Sequence, residues 1–245
     1  MPFPYKTVLI IGATSGIGAA MAEKLVTEGS RVIVSGRRQG RIDQFVNKHG
    51  PENVVGIQVD ITEHGSIDVF VKSATRLSRP LEFDLAQFHH EVNVNFISNV
   101  DLMIKFLPHL QEKPYPTGLI VTGTHLALVP AATMAAYSAS NAALTAFVDC
   151  SRAQNRHKST KIIEMYPPVV QTELHDWMGI ENGRALGMPV DEFADLAYEE
   201  LPKGEELVVV GSIATEPREV YMDLVERRRK IFDKLAGAML SRFEL

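Results

Sequence analysis

The chain has 245 residues, 45% of them hydrophobic and 22% charged, with a formal net charge of -5 and an isoelectric point near 5.9. That length suits one α/β domain able to bury a core without staples, and the acidic balance gives no basic field for a nucleic-acid backbone. The lone cysteine, Cys150, excludes an internal disulfide and cysteine-rich metal sites; without a signal-like start or an apolar run of spanning length, a cytoplasmic protein with a small-molecule ligand and no membrane partner is expected.

Thr7 to Ile11 is a continuous apolar run, the pattern of a strand buried on both faces of a parallel sheet. It leads into Gly12-Ala13-Thr14-Ser15-Gly16-Ile17-Gly18. Beyond the turn, Ile17, Met21, Leu25 and Val26 fall at helical spacing up to Glu28, and Gly29 is a stop signal. A glycine turn between strand and helix suits a pyrophosphate, because the backbone can come close and the helix N-terminus attracts negative charge. Gly12, Thr14, Ser15, Gly16, Ile17 and Gly18 are therefore candidate cofactor-binding positions; the alternative is a tight connection without a ligand.

A second strand, Arg31 to Ser35, runs into Gly36-Arg37-Arg38. A carboxylate here would grip a ribose 2′-hydroxyl, whereas Arg37 or Arg38 can bond a 2′-phosphate, which favours NADP over NAD. The plain alternative is two solvated surface arginines. A polar helix over Arg41 to Lys48 and a third strand over Val54 to Val59 follow, and Asp60 at the strand's end is a candidate acceptor for the adenine amino group. This alternation predicts an α/β fold: a single Rossmann-type doubly wound parallel sheet with helices on both faces, one dinucleotide-binding domain over residues 1–245.

Ser66 to Leu77 reads as a helix with Ser66 as its N-cap. The strand that should come next is missing: the chain passes through Ser78, Arg79 and Pro80 into a long helical pattern, Asp84 to Leu110. Either the next strand moves beside the first, or the region is locally disordered, or the gene as translated lacks a segment. Then follow a strand at Gly118 to Thr122, a helix at Ala135 to Arg156, a strand at Lys161 to Tyr166, a helix near Asp191 to Leu201, a strand at Leu207 to Val210 and a helix from Arg218 to Leu240. The basic run Arg227 to Lys230 reads as a solvated face. His89 and His90 lack a metal-ligand pattern, so no metal site is expected.

Tyr137-Ser138-Ala139-Ser140-Asn141 opens a helix, and Thr124 lies 13 residues upstream, just after a buried strand. Together with Gly12 to Gly18 and Asp60, these segments resemble the short-chain dehydrogenase/reductase family over nearly the whole chain. The resemblance implies an NADP(H)-dependent oxidoreductase that interconverts a carbonyl and a secondary alcohol on a small molecule, in a setting such as secondary metabolism. Tyr137 takes the place of the family's acid/base, Thr124 that of the serine that orients the substrate oxygen, and Asn95 that of the relay asparagine, with Asn93 the alternative register. Asn141 stands where the family has lysine. The resemblance also places cofactor contacts at Asn95, Tyr137, Asn141, Val169 and Thr172, a substrate loop over Leu174 to Met188 that includes Trp177, and a homo-oligomer through the helices near residues 84–110 and 135–156.

Two departures stand out. Asn141 carries no charge to lower the phenol's pKa, which is near 10 unperturbed. The family's fourth strand and its NNAG turn have no counterpart, the spacing from Asp60 to Asn95 being short by about 15 to 20 residues. The rival expectation is thus a catalytically impaired relative that binds nucleotide or a partner without hydride transfer.

Overall fold

The computed structural model describes residues 4–58, 84–213 and 216–243. Asp60, the helix at Ser66 to Leu77 and the region of the missing strand lie outside the described residues. In chain order the elements are β1 (Thr7–Ile11), α1 (Gly16–Thr27), β2 (Arg31–Gly36), α2 (Gln39–His49), β3 (Val54–Gln58), α3 (Leu85–Val92), α4 (Ser98–Gln111), β4 (Thr117–Thr122), α5 (Ala135–Gln154), β5 (Thr160–Tyr166), α6 (Ile180–Arg184), α7 (Val190–Glu200), β6 (Leu207–Val209) and α8 (Arg218–Phe243).

The chain forms two compact units, Met1–Leu77 with Val169–Glu205, and Ser78–Pro168 with Glu206–Leu245. In the first, β1, β2 and β3 make a parallel sheet in that order. Ala22, Leu25, Val32, Val34, Ile42 and Val54 form its core, so the apolar stripes of α1 and α2 are what the sheet buries. α7 packs on α1, and Lys24 Nζ meets Asp195 Oδ1 at 2.8 Å.

In the second unit β4, β5 and β6 form another parallel sheet. Met103 and Leu107 of α4 and Leu144 and Val148 of α5 pack on Val121 and Ile162. Parallel sheets flanked by helices are the expected α/β class. Among the described residues the strands form two three-stranded sheets, β1-β2-β3 and β4-β5-β6.

The long helix predicted over Asp84 to Leu110 is also interrupted. α3 gives way to a π-helical turn, Asn93–Ile97, before α4 begins. Such a turn holds one extra residue and loosens the backbone ladder. Here the Asn99 side-chain amide donates to the carbonyls of Val94 and Asn95, both at 3.1 Å, which supports the widened turn.

Candidate functional site

In the first unit, β1 ends at Ile11 and the chain turns at Gly12 (φ +83°), whose N–H and that of Ala13 donate to the Ser35 carbonyl at 2.9 and 2.8 Å. The turn is thereby tied to the end of β2. Gly16 has φ +56°, and a Cβ at Gly18 would collide with the Gly12 carbonyl oxygen, so only glycine fits at either place. Ser15, in extended conformation, precedes α1 without capping it, and the first turn of α1 carries no acidic side chain. The unpaired N–H groups of a helix start therefore meet no competing carboxylate of their own.

Arg38, expected to be available at the end of β2, is engaged. Its Nη1 donates to Glu173 Oε2 at 2.9 Å, and its Nη2 donates to Ser15 Oγ. Arg41 Nη1 donates to the other Glu173 oxygen at 2.8 Å and to the Thr14 carbonyl at 3.1 Å. Partial burial works against the Glu173 carboxylate, but the bonds from Arg41 and Arg38 outweigh it and hold its pKa below the usual carboxylate range. Arg37 is half-buried, and its carbonyl accepts from Gln58 Nε2 at 2.9 Å.

Glu173 follows Thr172, which caps the short 3-10 turn Glu173–Met178 by accepting from the Leu174 N–H at 3.3 Å. A Cβ at Gly16 would lie 3.2 Å from the Thr172 methyl. Val169 is half exposed, and its carbonyl accepts from the Met188 N–H at 2.9 Å, closing the base of the loop Leu174 to Met188. Within that loop Arg184 forks onto Asp176 at 2.5 and 2.7 Å.

In the second unit, Tyr137 lies in the first turn of α5 and Thr124 just beyond β4. The Thr124 hydroxyl comes close enough to act on the Tyr137 phenol, so two groups 13 positions apart are brought together. Burial raises the Tyr137 pKa; the bond with Thr124 opposes that rise, and the charge of Glu91 adds to it. Asn95, buried in the π-helical turn, donates from Nδ2 to Ser140 Oγ at 3.0 Å, and Ser140 Oγ donates to the Tyr137 carbonyl at 3.1 Å. Asn141 folds back on its own helix, Nδ2 donating to the same carbonyl at 3.0 Å.

Three buried ionisable groups near these residues were not singled out from sequence. Glu91, on α3, is 4% exposed, and its Oε1 has no hydrogen-bond partner among the described residues. Burial alone pushes its carboxyl up to about 7. Its signal was its position four residues before Asn95, on the same helical face. Glu164 of β5, 1% exposed, accepts from Thr145 Oγ1 at 2.7 Å, while Thr145 and the Tyr166 hydroxyl are 2.8 Å apart. Burial again leads in raising it to about 7. His125, next to Thr124, has Nδ1 2.9 Å from the Pro167 carbonyl; burial lowers its pKa, so the neutral ring donates there and ties β4's end to β5's.

Residues 6–179 match the short chain dehydrogenase family, and the chain belongs to it. It is an oxidoreductase of that kind, a class that acts on small molecules. It is 30% identical over 224 residues to the uncharacterized oxidoreductase DltE of Bacillus subtilis (strain 168), an alignment covering 84% of this chain and 88% of that one. It is 26% identical over 193 residues, 69% of this chain and 73% of the other, to a benzil reductase, (S)-benzoin forming, of Saccharomyces cerevisiae (strain ATCC 204508 / S288c). Among solved structures, a short chain dehydrogenase of Burkholderia cenocepacia J2315 in complex with NADP superposes with a TM-score of 0.73 at 25% identity, over 96% of this chain and 99% of that one. No helix among the described residues is long and apolar enough to cross a membrane.

Proposed function

We propose that the protein is an NADP(H)-dependent carbonyl reductase acting on a small molecule. The observation that carries this reading is the Tyr137–Thr124 hydroxyl pair, where burial raises the phenol's pKa. A neutral phenol can still protonate an oxygen as it becomes an alkoxide, a far stronger base. Removing an alcohol proton instead requires the phenolate, which burial and the missing cation at Asn141 disfavour. The family's reversible chemistry is thus tilted toward reduction.

The glycine turn suits a dinucleotide: the space beside Gly12 is open, and glycine at 16 and 18 lets the turn close tightly against Thr172 and the Gly12 carbonyl at the start of the helix. Gly12, Thr14, Ser15, Gly16, Ile17 and Gly18 would hold its pyrophosphate, Arg37 and Arg38 its 2′-phosphate, Asp60 its adenine, and Val169, Thr172, Asn95, Tyr137 and Asn141 its nicotinamide end. The bound nicotinamide supplies the hydride. Tyr137 donates the proton, Thr124 orients the carbonyl oxygen, and Asn95 supports proton return. Met178, Ile180 and Leu186 leave an exposed apolar lining on the loop assigned to substrate, which suits an apolar carbonyl compound. The wider reading, resting on the family, is a cytoplasmic homo-oligomer folded as one dinucleotide-binding domain.

Hydride transfer from NADPH to a panel of aromatic and aliphatic carbonyls tests this. Introducing the cation through Asn141→Lys is expected to raise kcat at neutral pH by roughly tenfold or more. A natural protein that binds NADPH but reduces nothing, beside an active Asn141→Lys variant, would establish the silent relative instead.

A further inference from the structure

Tyr137 can give up its proton only once per turnover, and must regain it from a group able to carry one; Asn141 stands where the family has a lysine. Asn141 cannot carry a proton, and its amide is already committed to the Tyr137 carbonyl. A group that can carry one stands nearby. α3 packs against α5, the helix whose first turn holds Tyr137. Glu91 lies on α3 one turn before Asn95, and Asn95 reaches Ser140, which bonds the backbone of Tyr137. Glu91 is buried, one of its oxygens has no partner, and its charge is felt at the phenol.

A solitary buried carboxylate costs several kcal/mol unless it is paired or protonated. No cation pairs with Glu91 among the described residues. Among the described residues, the ionisable group that senses it is Tyr137 on α5; on α3 itself the next residue, His90, has its Nε2 buried without a partner, and the π-helical turn contributes only uncharged side chains, Asn93 to Ile97. A group kept at such expense, with a lone pair or proton unused, beside the one residue whose chemistry needs proton exchange, is better explained by that exchange than by packing.

We infer that Glu91 is the proton reservoir for Tyr137. The inference rests on the reductase reading above. As the carbonyl carbon gains hydride, the C=O π pair moves onto oxygen and takes the Tyr137 proton. Glu91, as the neutral acid, then passes its proton to the phenolate, becomes a carboxylate, and is reprotonated from solvent. The carboxyl's pKa of about 7 lets it occupy both forms near neutrality. Glu91 acts through Tyr137 and touches neither hydride nor substrate, so it is a positioning and proton-supplying residue.

Two measurements test this. In the protein without nucleotide, the phenolate absorbance assigned to Tyr137 by subtraction of a Tyr137→Phe variant is followed against pH, in wild type and in Glu91→Gln. Removing the Glu91 charge is expected to move that titration to lower pH. In turnover with NADPH and a reducible carbonyl, Glu91→Gln is expected to lower kcat about tenfold or more with KM little changed, and to erase an ionisation near neutrality that Glu91→Asp retains. Glutamine fills the same space without a charge, so a purely structural role would leave the kcat profile and the phenol titration as they were. An unmoved titration overturns the inference whether or not the protein turns over. A moved titration with an unaltered kcat profile overturns the reservoir role and leaves the reductase standing. If the titration moves but wild type and both Glu91 variants reduce nothing, the reductase reading fails and the reservoir falls with it, leaving only the electrostatic coupling.

Discussion

Glu164 illustrates how much a single side chain can set. Thr145 Oγ1 donates to the Glu164 carboxylate at 2.7 Å, and the Tyr166 hydroxyl lies 2.8 Å from the same Thr145 oxygen. The chain Tyr166 to Thr145 to Glu164 is satisfied, yet burial holds the carboxyl near 7 against 4.5 for the free group. A folded-state pKa above the unfolded value gives stability that is complete below about 4.5 and is lost as pH rises through about 7. Glu164→Gln keeps an acceptor for Thr145 and carries no charge. Its stability relative to wild type should therefore climb by roughly 1 to 3 kcal/mol between pH 5 and pH 8, read from urea unfolding at the two pH values. A difference that does not vary with pH would show that Glu164 is not titrating in this range. Residues of this sort were the least legible in sequence. Tyr137 and Thr124 could be found because a fixed spacing brings two hydroxyls together, whereas a carboxylate on an amphipathic element ordinarily reads as its solvated face, and nothing local marks Glu91 or Glu164 as turned inward.

At the level of elements, strands and simple helices were readable and their embellishments were not. Runs rich in apolar residues gave β1 to β6 to within a residue or two at their described ends. The π-helical turn at Asn93–Ile97 escaped because one inserted residue shifts a helical pattern too little to break its periodicity. The Glu173 clamp escaped for a different reason: Arg38 and its partner are 135 positions apart, and only the fold sets the turn after β5 against the turn after β2. That clamp bears on cofactor choice. While Glu173 holds Arg38 and Arg41, it offsets the charge proposed to receive a 2′-phosphate. Glu173→Gln should tighten NADPH binding severalfold with little effect on NADH, and the gain should shrink as salt rises. Equal changes for the two nucleotides, measured by fluorescence titration, would dissociate these arginines from the 2′ position.

Over the whole molecule, composition and alternation were enough for the α/β class and, with the glycine turn and tyrosine segment, for the family. Among the described residues the strands form two three-stranded parallel sheets, and residues 59–83 lie outside them. Nucleotide binding offers a test that spans the chain. At a hundred times its dissociation constant, NADPH should stabilise the folded protein by about 2.7 kcal/mol, visible as a rise in melting temperature. A melting curve unmoved by saturating NADPH and NADH alike would remove the glycine turn from consideration as a nucleotide site. The first unit is itself discontinuous, joining Met1–Leu77 to Val169–Glu205, and that has a consequence for how the protein is made. The turn at Gly12 to Gly18 leaves the ribosome early, but Glu173, which holds its flanking arginines, and Asp195, which meets Lys24, emerge later by roughly 10 to 30 s at ordinary rates of synthesis. For that interval the glycine turn exists without its supports, so the unit synthesised first is completed only after most of the second has emerged.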